Sequence, residues 1–204
     1  MFHDVAVQHP SPPVDRSPMA PGSDFLEILA AGRRGEEWAV AVLYRDLHPR
    51  LQRYLSFRAG GAADDLEGEV WLAVAERLHR FEGDELAFRA WVFSIARRRL
   101  ADLRRTASRR KTDTAPAETF DRAEPGADPG ELVLEAMSGD EAIAFVRSSL
   151  HHEQAEIVIL RVVAGLEVEQ VATLLGKRPG TIRVAQHRAL KRLEQLLAVS
   201  QVTK

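Results

Sequence analysis

Apolar residues in this chain return every three or four positions in two blocks, residues 24–106 and 140–199, and nowhere does a β-branched run alternate with polar residues. With 3.6 residues to a helical turn, that spacing lines one face of a helix, so packed helices are the means by which this chain buries its apolar surface. Gly32, Gly35, Gly60, Gly61 and Gly83 divide the first block into three or four helices. Ser23 or Asp24 can cap the first of them. Asp64 with Glu67 three residues later has the pattern of a capping box, and Asp84 or Glu85 precedes the helix centred on Trp91. In the second block Gly165 and Gly176 are the punctuation, and Pro179 stands where a helix can start. The pattern predicts an all-α fold of two small helical domains.

Between the blocks the composition changes. Pro116, Pro125 and Pro129 appear, and the acids from Asp113 to Glu141 far outnumber Lys111 and Arg122. The predicted organisation is a disordered arm over residues 1–22, rich in proline, a domain over 23–110, an acidic flexible linker over 111–139, a domain over 140–199 and a tail over 200–204. The chain holds no cysteine, which excludes a disulfide framework and a thiolate zinc site and fits a reducing cytoplasm. No apolar run is long enough to cross a bilayer and no secretory leader is visible, so a soluble cytoplasmic protein is expected. A net charge of −2 gives no general attraction to nucleic acid. The arrangement of charge along the chain matters more.

That arrangement is sharpest over residues 88–105. Steps of 100° put Phe88, Val92, Ile95, Ala96, Leu100 and Leu103 on one face and Arg97, Arg98, Arg104 and Arg105 on the other. Arg109, Arg110 and Lys111 extend the positive run, which Asp102 alone interrupts. Guanidinium groups in a row suit phosphates; the plainer alternative is a solvated face, or one paired with the acidic linker. Trp91 and Phe93 are expected in the core. Just before this helix, Asp64, Asp65, Glu67 and Glu69 open a segment whose apolar set is Leu66, Val70, Val74, Leu78 and Phe81. Consecutive helical residues point in different directions and no further ligand completes a set, so a metal site is not expected. An acidic, partly apolar surface for a protein partner is, with Trp71 and Leu72 beside the stripe.

In the second domain residues 165–176 give one short helix, with Leu166, Val171, Ala172 and Leu175 turned inward, and a turn leads into residues 181–193, where Ile182, Ala185, Ala189 and Leu193 share a stripe flanked by Leu190 and Leu196. This is the helix-turn-helix pattern, in which the second helix enters a major groove. Thr181 opens that helix, and its expected outward residues are Arg183, Val184, Gln186, His187, Arg188, Lys191 and Arg192. Arg and Gln can read base edges, and Lys191 and Arg192 suit phosphate. The histidines carry no catalytic arrangement, and no phosphate loop, nucleophile elbow or zinc signature is present. No enzyme, cofactor or metal is implied.

The two halves together resemble the extracytoplasmic-function group of bacterial RNA polymerase sigma factors, within the sigma-70 family. The residues that carry the resemblance are 64–72, 81–97 and 102–105 in the first half, and Leu150, Gln154, Leu160, Arg161, Gly165, Leu166, Val171, Ala172, Leu175, Gly176, Gly180, Thr181, Ile182 and 187–193 in the second. The resemblance implies a region 2-like bundle and a region 4-like helix-turn-helix domain that bind core RNA polymerase and promoter DNA, with no membrane and no catalysis. It implies polymerase contact at Asp65, Glu69 and Leu72. It implies contact with the minus-ten element at Arg97, Arg98, Asp102, Arg104 and Arg105, and with the minus-thirty-five element at Thr181, Arg183, Val184, Gln186, His187, Arg188 and Lys191. An anti-sigma factor that covers both domains is a further partner the resemblance admits. Two alternatives remain: a stand-alone helix-turn-helix regulator, and a helical nuclease or hydrolase that uses the acids from Asp64 to Glu69.

Overall fold

The computed structural model describes residues 23–108 and 139–202, and every regular element among them is helical. The expected N-terminal arm and acidic linker lie outside the described residues. The first unit is α1 (Ser23–Arg33), α2 (Glu37–Ala59), α3 (Ala63–Arg77) and α4 (Glu85–Ser108), with single 3-10 turns at Gly60–Ala62 and Leu78–Arg80. The second is α5 (Gly139–Ser149), α6 (His152–Val158) running into a π-turn at Ile159–Val163, α7 (Val168–Leu175) and α8 (Pro179–Val202).

The first unit is organised around α2. Leu43, Leu47, Leu51 and Leu55 recur every four residues, are all buried, and face α1, α3 and α4. Each such side chain contributes about 1.5–3 kcal/mol through the apolar surface it removes from water. From α4 the stripe delivers Phe88, Val92, Ile95, Ala96 and Leu100 to the same core, joined by Phe93. At the start of α4 the Phe88 ring lies 5.8 Å from Phe25, 5.4 Å from Phe81 and 5.8 Å from Trp91, an aromatic cluster that fixes where the helix enters. Asp84 caps it as expected: its Oδ1 accepts the Ala87 N–H at 2.8 Å. Leu103 departs from the expected core face. It is 39% exposed, because α4 runs on beyond Leu100, its last buried residue.

The expected capping box at Asp64 and Glu67 does not form. α3 begins after Ala62 with no side-chain cap, and Glu67 is buried, where its Oε1 meets His48 Nδ1 and the Trp71 indole N–H at 3.2 Å. A buried carboxylate needs partners of this kind, and they outweigh a cap that would leave it at the surface. A reciprocal cap does occur on α7. Glu167 accepts from the backbone three residues on, and Gln170 Oε1 accepts the Glu167 N–H at 2.8 Å. The helix stops at Gly176, whose φ of +67° is left-handed, and the Lys177 N–H closes on Ala172 O at 2.8 Å. Pro179 opens α8, where the sequence placed it.

The two units are packed together. α2 touches α5 and the π-turn, and α4 touches α7. The seam is fastened by polar side chains from both sides. Arg147 on α5 donates to the carbonyls of Ser56 (2.9 Å) and Phe57 (2.7 Å), Gln170 donates to Leu86 O at 2.9 Å, and Arg89 donates to Gly165 O at 3.3 Å. The backbone at Gly165 favours glycine, and its nearest neighbours across the seam are the ends of two flexible arginine side chains. Its φ is +66°, and a Cβ would stand 2.8 Å from Arg50 Nη1 and 3.1 Å from Arg89 Nη1.

Candidate nucleic-acid interface

α7, the turn after Gly176 and α8 make the helix-turn-helix. Ile182, Ala185, Ala189, Leu190 and Leu193 are buried, which leaves the other side of α8 to meet a partner. Arg188 and Lys191 lie on that side and are exposed, and Arg183 is exposed with its guanidinium 2.6 Å from Glu169 on α7. Thr181, Gln186 and His187 are half-buried; Gln186 Oε1 accepts from Arg161 Nε at 3.0 Å. Val184 corrects the sequence reading. At 2% exposure it packs into the domain and does not reach outward. The buried face of α8 is wider than the stripe of every third or fourth residue, because other elements close on it from both sides: α6 and α7 both pack along it. Arg192, assigned to phosphate from the sequence, donates to Ser149 O at 2.9 Å.

On α4 the cationic face is present but unequal. Arg98, Arg104 and Arg105 are exposed, and Arg105 pairs with Asp102 at 2.9 Å, one turn back. Arg97 is half-buried at the seam, where it donates to Leu174 O of α7. Together with Arg58, Arg97, Arg98 and Arg104 line an open cleft of about 970 Å³ between the units, to which Leu100, Leu174 and Glu169 also contribute.

The acidic segment of α3 sorts into two roles. Glu67 belongs to the interior. Asp65, Glu69 and Leu72, spaced by four and three, form one exposed strip, with Leu72 62% exposed and Glu69 3.6 Å from Arg99 of α4. Among the described residues no group of three or more His, Cys, Asp or Glu is placed to hold a metal, and no helix is long and apolar enough to cross a membrane.

A buried polar cluster at the seam escaped the sequence reading. Glu156 accepts from Tyr54 Oη at 3.1 Å and from Arg58 Nη1 at 2.8 Å, and Arg58 also donates to His152 Nε2. The Arg58 and Glu156 side chains are 5% and 9% exposed. Burial, then the nearby Glu156 charge, pushes the Tyr54 hydroxyl well above its ordinary range, so it stays a donor. Burial first and then Arg58 hold His152 below the usual histidine value. The available signal was a polar residue at an apolar position: Glu156 interrupts Ala155, Ile157 and Val158, and Arg58 sits one turn after Tyr54 on the buried side of α2.

Comparison with known proteins finds a family match within each unit. Residues 43–110 match the Sigma-70 region 2 model and residues 141–193 the Sigma-70 region 4 model. The chain is 37% identical over 172 residues to the ECF RNA polymerase sigma factor ShbA of Streptomyces griseus, covering 79% of this chain and 89% of that one. It is 33% identical over 175 residues to the ECF sigma factor BldN of Streptomyces coelicolor, covering 85% of this chain and 66% of that one. Among solved structures CnrH, in complex with the cytosolic domain of CnrY, superposes with a TM-score of 0.56 at 20% identity over 87% of this chain and 99% of its own, a likeness of fold. Two helical units, one with an arginine-faced helix and one with a helix-turn-helix, define a promoter-directed initiation factor. The chain belongs to the ECF RNA polymerase sigma factors of the sigma-70 family. That membership does not favour a stand-alone regulator.

Proposed function

We propose that the two units divide promoter recognition and that the chain performs no catalysis itself, acting in the cytoplasm on core RNA polymerase. α8 is the reader of the minus-thirty-five element through Arg183, Gln186, His187, Arg188 and Lys191, with Thr181 at its start. α4 holds the minus-ten element through Arg97, Arg98, Arg104 and Arg105, with Asp102 setting Arg105. The strip at Asp65, Glu69 and Leu72 docks on polymerase, where a protein partner would cover a leucine that is otherwise in water. An anti-sigma factor spanning both units is a further partner of this reading.

One observation carries the proposal: each unit buries the apolar stripe of a long helix and leaves arginines on the opposite side, in a chain whose halves match region 2 and region 4. Phosphate contact from such faces positions the protein, and base contact from α8 supplies sequence choice. Transcription reconstituted from core polymerase, this chain and a library of upstream sequences tests it. Promoter-specific RNA that depends on the chain is expected, and its absence across the library defeats the reading.

A further inference from the structure

From Lys177 to Leu193 the helix-turn-helix carries Lys177, Arg178, Arg183, Arg188, Lys191 and Arg192, and no acid. A carboxylate nevertheless reaches the α8 face from α7: Glu169 Oε1 accepts from Arg183 Nη2 at 2.6 Å. Among the described residues no other arginine or lysine of α8 is held in an ion pair. The pairing is placed by the fold. Glu169 is the second residue of α7, whose start is fixed by the reciprocal cap of Glu167 and Gln170 and whose end is fixed by the left-handed Gly176. The Lys177 N–H then closes on Ala172 O, and α7 packs along α8, so the helix that carries Arg183 has a set position beside Glu169. The Arg183 and Glu169 side chains are 42% and 62% exposed, and such a pair adds little to stability. Its consequence is directional.

From this geometry we infer that Glu169 is a positioning residue that commits Arg183 to a guanine in the major groove and withholds it from phosphate. The inference rests on the reading of α8 as the minus-thirty-five helix. One Nη2 hydrogen of Arg183 goes to Glu169, and the planar group still offers a parallel pair of N–H donors. Guanine presents two acceptors to such a pair, N7 and O6. Adenine sets an amino donor beside its acceptor, and thymine offers one acceptor beside a methyl group. A phosphate is a poor partner at this place, because it would bring its own charge against the Glu169 carboxylate. Pairing before DNA arrives also removes side-chain freedom that a loose arginine would lose only on binding. Arg188 and Lys191 carry no such constraint.

The test uses the full chain with core RNA polymerase on templates whose upstream element is randomised, and sequences the templates that yield RNA. The parent chain should prefer guanine at one position of the element, and Arg183→Ala should abolish that preference. Glu169→Gln should reduce it about tenfold at the same position and leave the other positions unchanged. In the same variant, binding of the holoenzyme to unselected duplex DNA should fall more steeply with salt, by about one unit of logarithmic slope, as Arg183 turns to phosphate. A merely structural role for Glu169 would lower discrimination at every position together and leave that slope alone. Arg183→Lys keeps the charge and loses the fork, so it should lose the guanine preference as well. Both positions are exposed, and the variants should keep the helix content of the parent by circular dichroism. A guanine preference kept in Glu169→Gln overturns the positioning, and one kept in Arg183→Lys overturns the forked readout. Arg183→Ala that shifts no position overturns both. Absence of chain-dependent RNA with the parent chain defeats the reading of α8 and this inference with it, a failure told apart because it precedes any substitution.

Discussion

α4 and α8 are built on one pattern, an apolar stripe with arginines opposite, yet their cations meet different surroundings. On α8, Arg188 and Lys191 stand in solvent, and the nearest constraint on Arg183 is an exposed carboxylate, Glu169, across the helix-turn-helix. On α4, Arg97 is taken up by a carbonyl of the other unit and keeps one buried donor unpaired, while Arg98 and Arg104 are left at the edge of a cleft. The difference shows that periodicity fixes where a side chain points around its own helix and leaves open what a neighbouring unit places there. A partner meets the α8 face as it stands. On α4, Arg98, Arg104 and Arg105 are exposed as well, and of the four arginines on that face only Arg97 is taken up at the seam.

The largest effect expected from any single change is on what the two faces share, their buried support. Phe93 is fully buried on α4 and stands edge-on to Tyr54 at 5.5 Å, so Phe93→Ala should cost about 3–5 kcal/mol in chemical denaturation and weaken the seam with it. A loss confined to the first unit, with the Tyr54 to Glu156 contact intact, would mean that the seam is independent of that core. On the α8 side the comparison sharpens at Arg188. Arg188→Ala should remove about 1–3 kcal/mol of discrimination at one promoter position in reconstituted transcription, if the guanidinium reads a base. Uniform weakening on all sequences would reassign Arg188 to phosphate.

Much of this was legible in the sequence, and the failures share a cause. The two helical blocks, the cap at Asp84, the stops at Gly165 and Gly176 and the start at Pro179 all follow from local chemistry, and the structure places them there. Glu67, Leu103, Val184 and Arg97 do not follow. Each depends on how far a neighbouring element extends: Glu67 is drawn in by His48 and Trp71, Leu103 lies past the last buried turn, Val184 is covered from a flank, and Arg97 is reached by α7. Buried polar residues such as Glu156 announce themselves only as interruptions of an apolar run, and their partners, here 98 and 102 residues away, are visible only after folding.

A smaller effect tests how much of the seam is the hydroxyl of Tyr54. Tyr54→Phe keeps the ring against Phe93 and removes a donor to Glu156, whose second oxygen still holds Arg58. The cost should be about 0.5–1.5 kcal/mol, the net value of one such bond. In a double-mutant cycle with Glu156→Ala that cost should vanish. An additive result would separate Tyr54 from the Glu156 cluster.

The last difference between the two faces is one of pH. His152 of α6 accepts from Arg58 of α2 and lies stacked at 5.7 Å on the Phe57 ring. Besides Arg58, its charged neighbours are Arg104 of α4 and Arg147 of α5, both of which oppose a proton on it, and Glu156 of its own helix, which favours one. Burial and Arg58 lead in holding the ring below its ordinary value of about 6.5, which it regains when the units part. The open state therefore binds the proton more readily. This contribution to closure is complete above the ordinary value and is lost as pH falls through the window down to the lowered one, below which it changes no further. Energy transfer between dyes placed through Glu76→Cys on α3 and Glu194→Cys on α8, both exposed, should decline on acidification through that window, and His152→Gln should flatten the decline. A decline of equal size in His152→Gln would place the titrating group elsewhere in the seam.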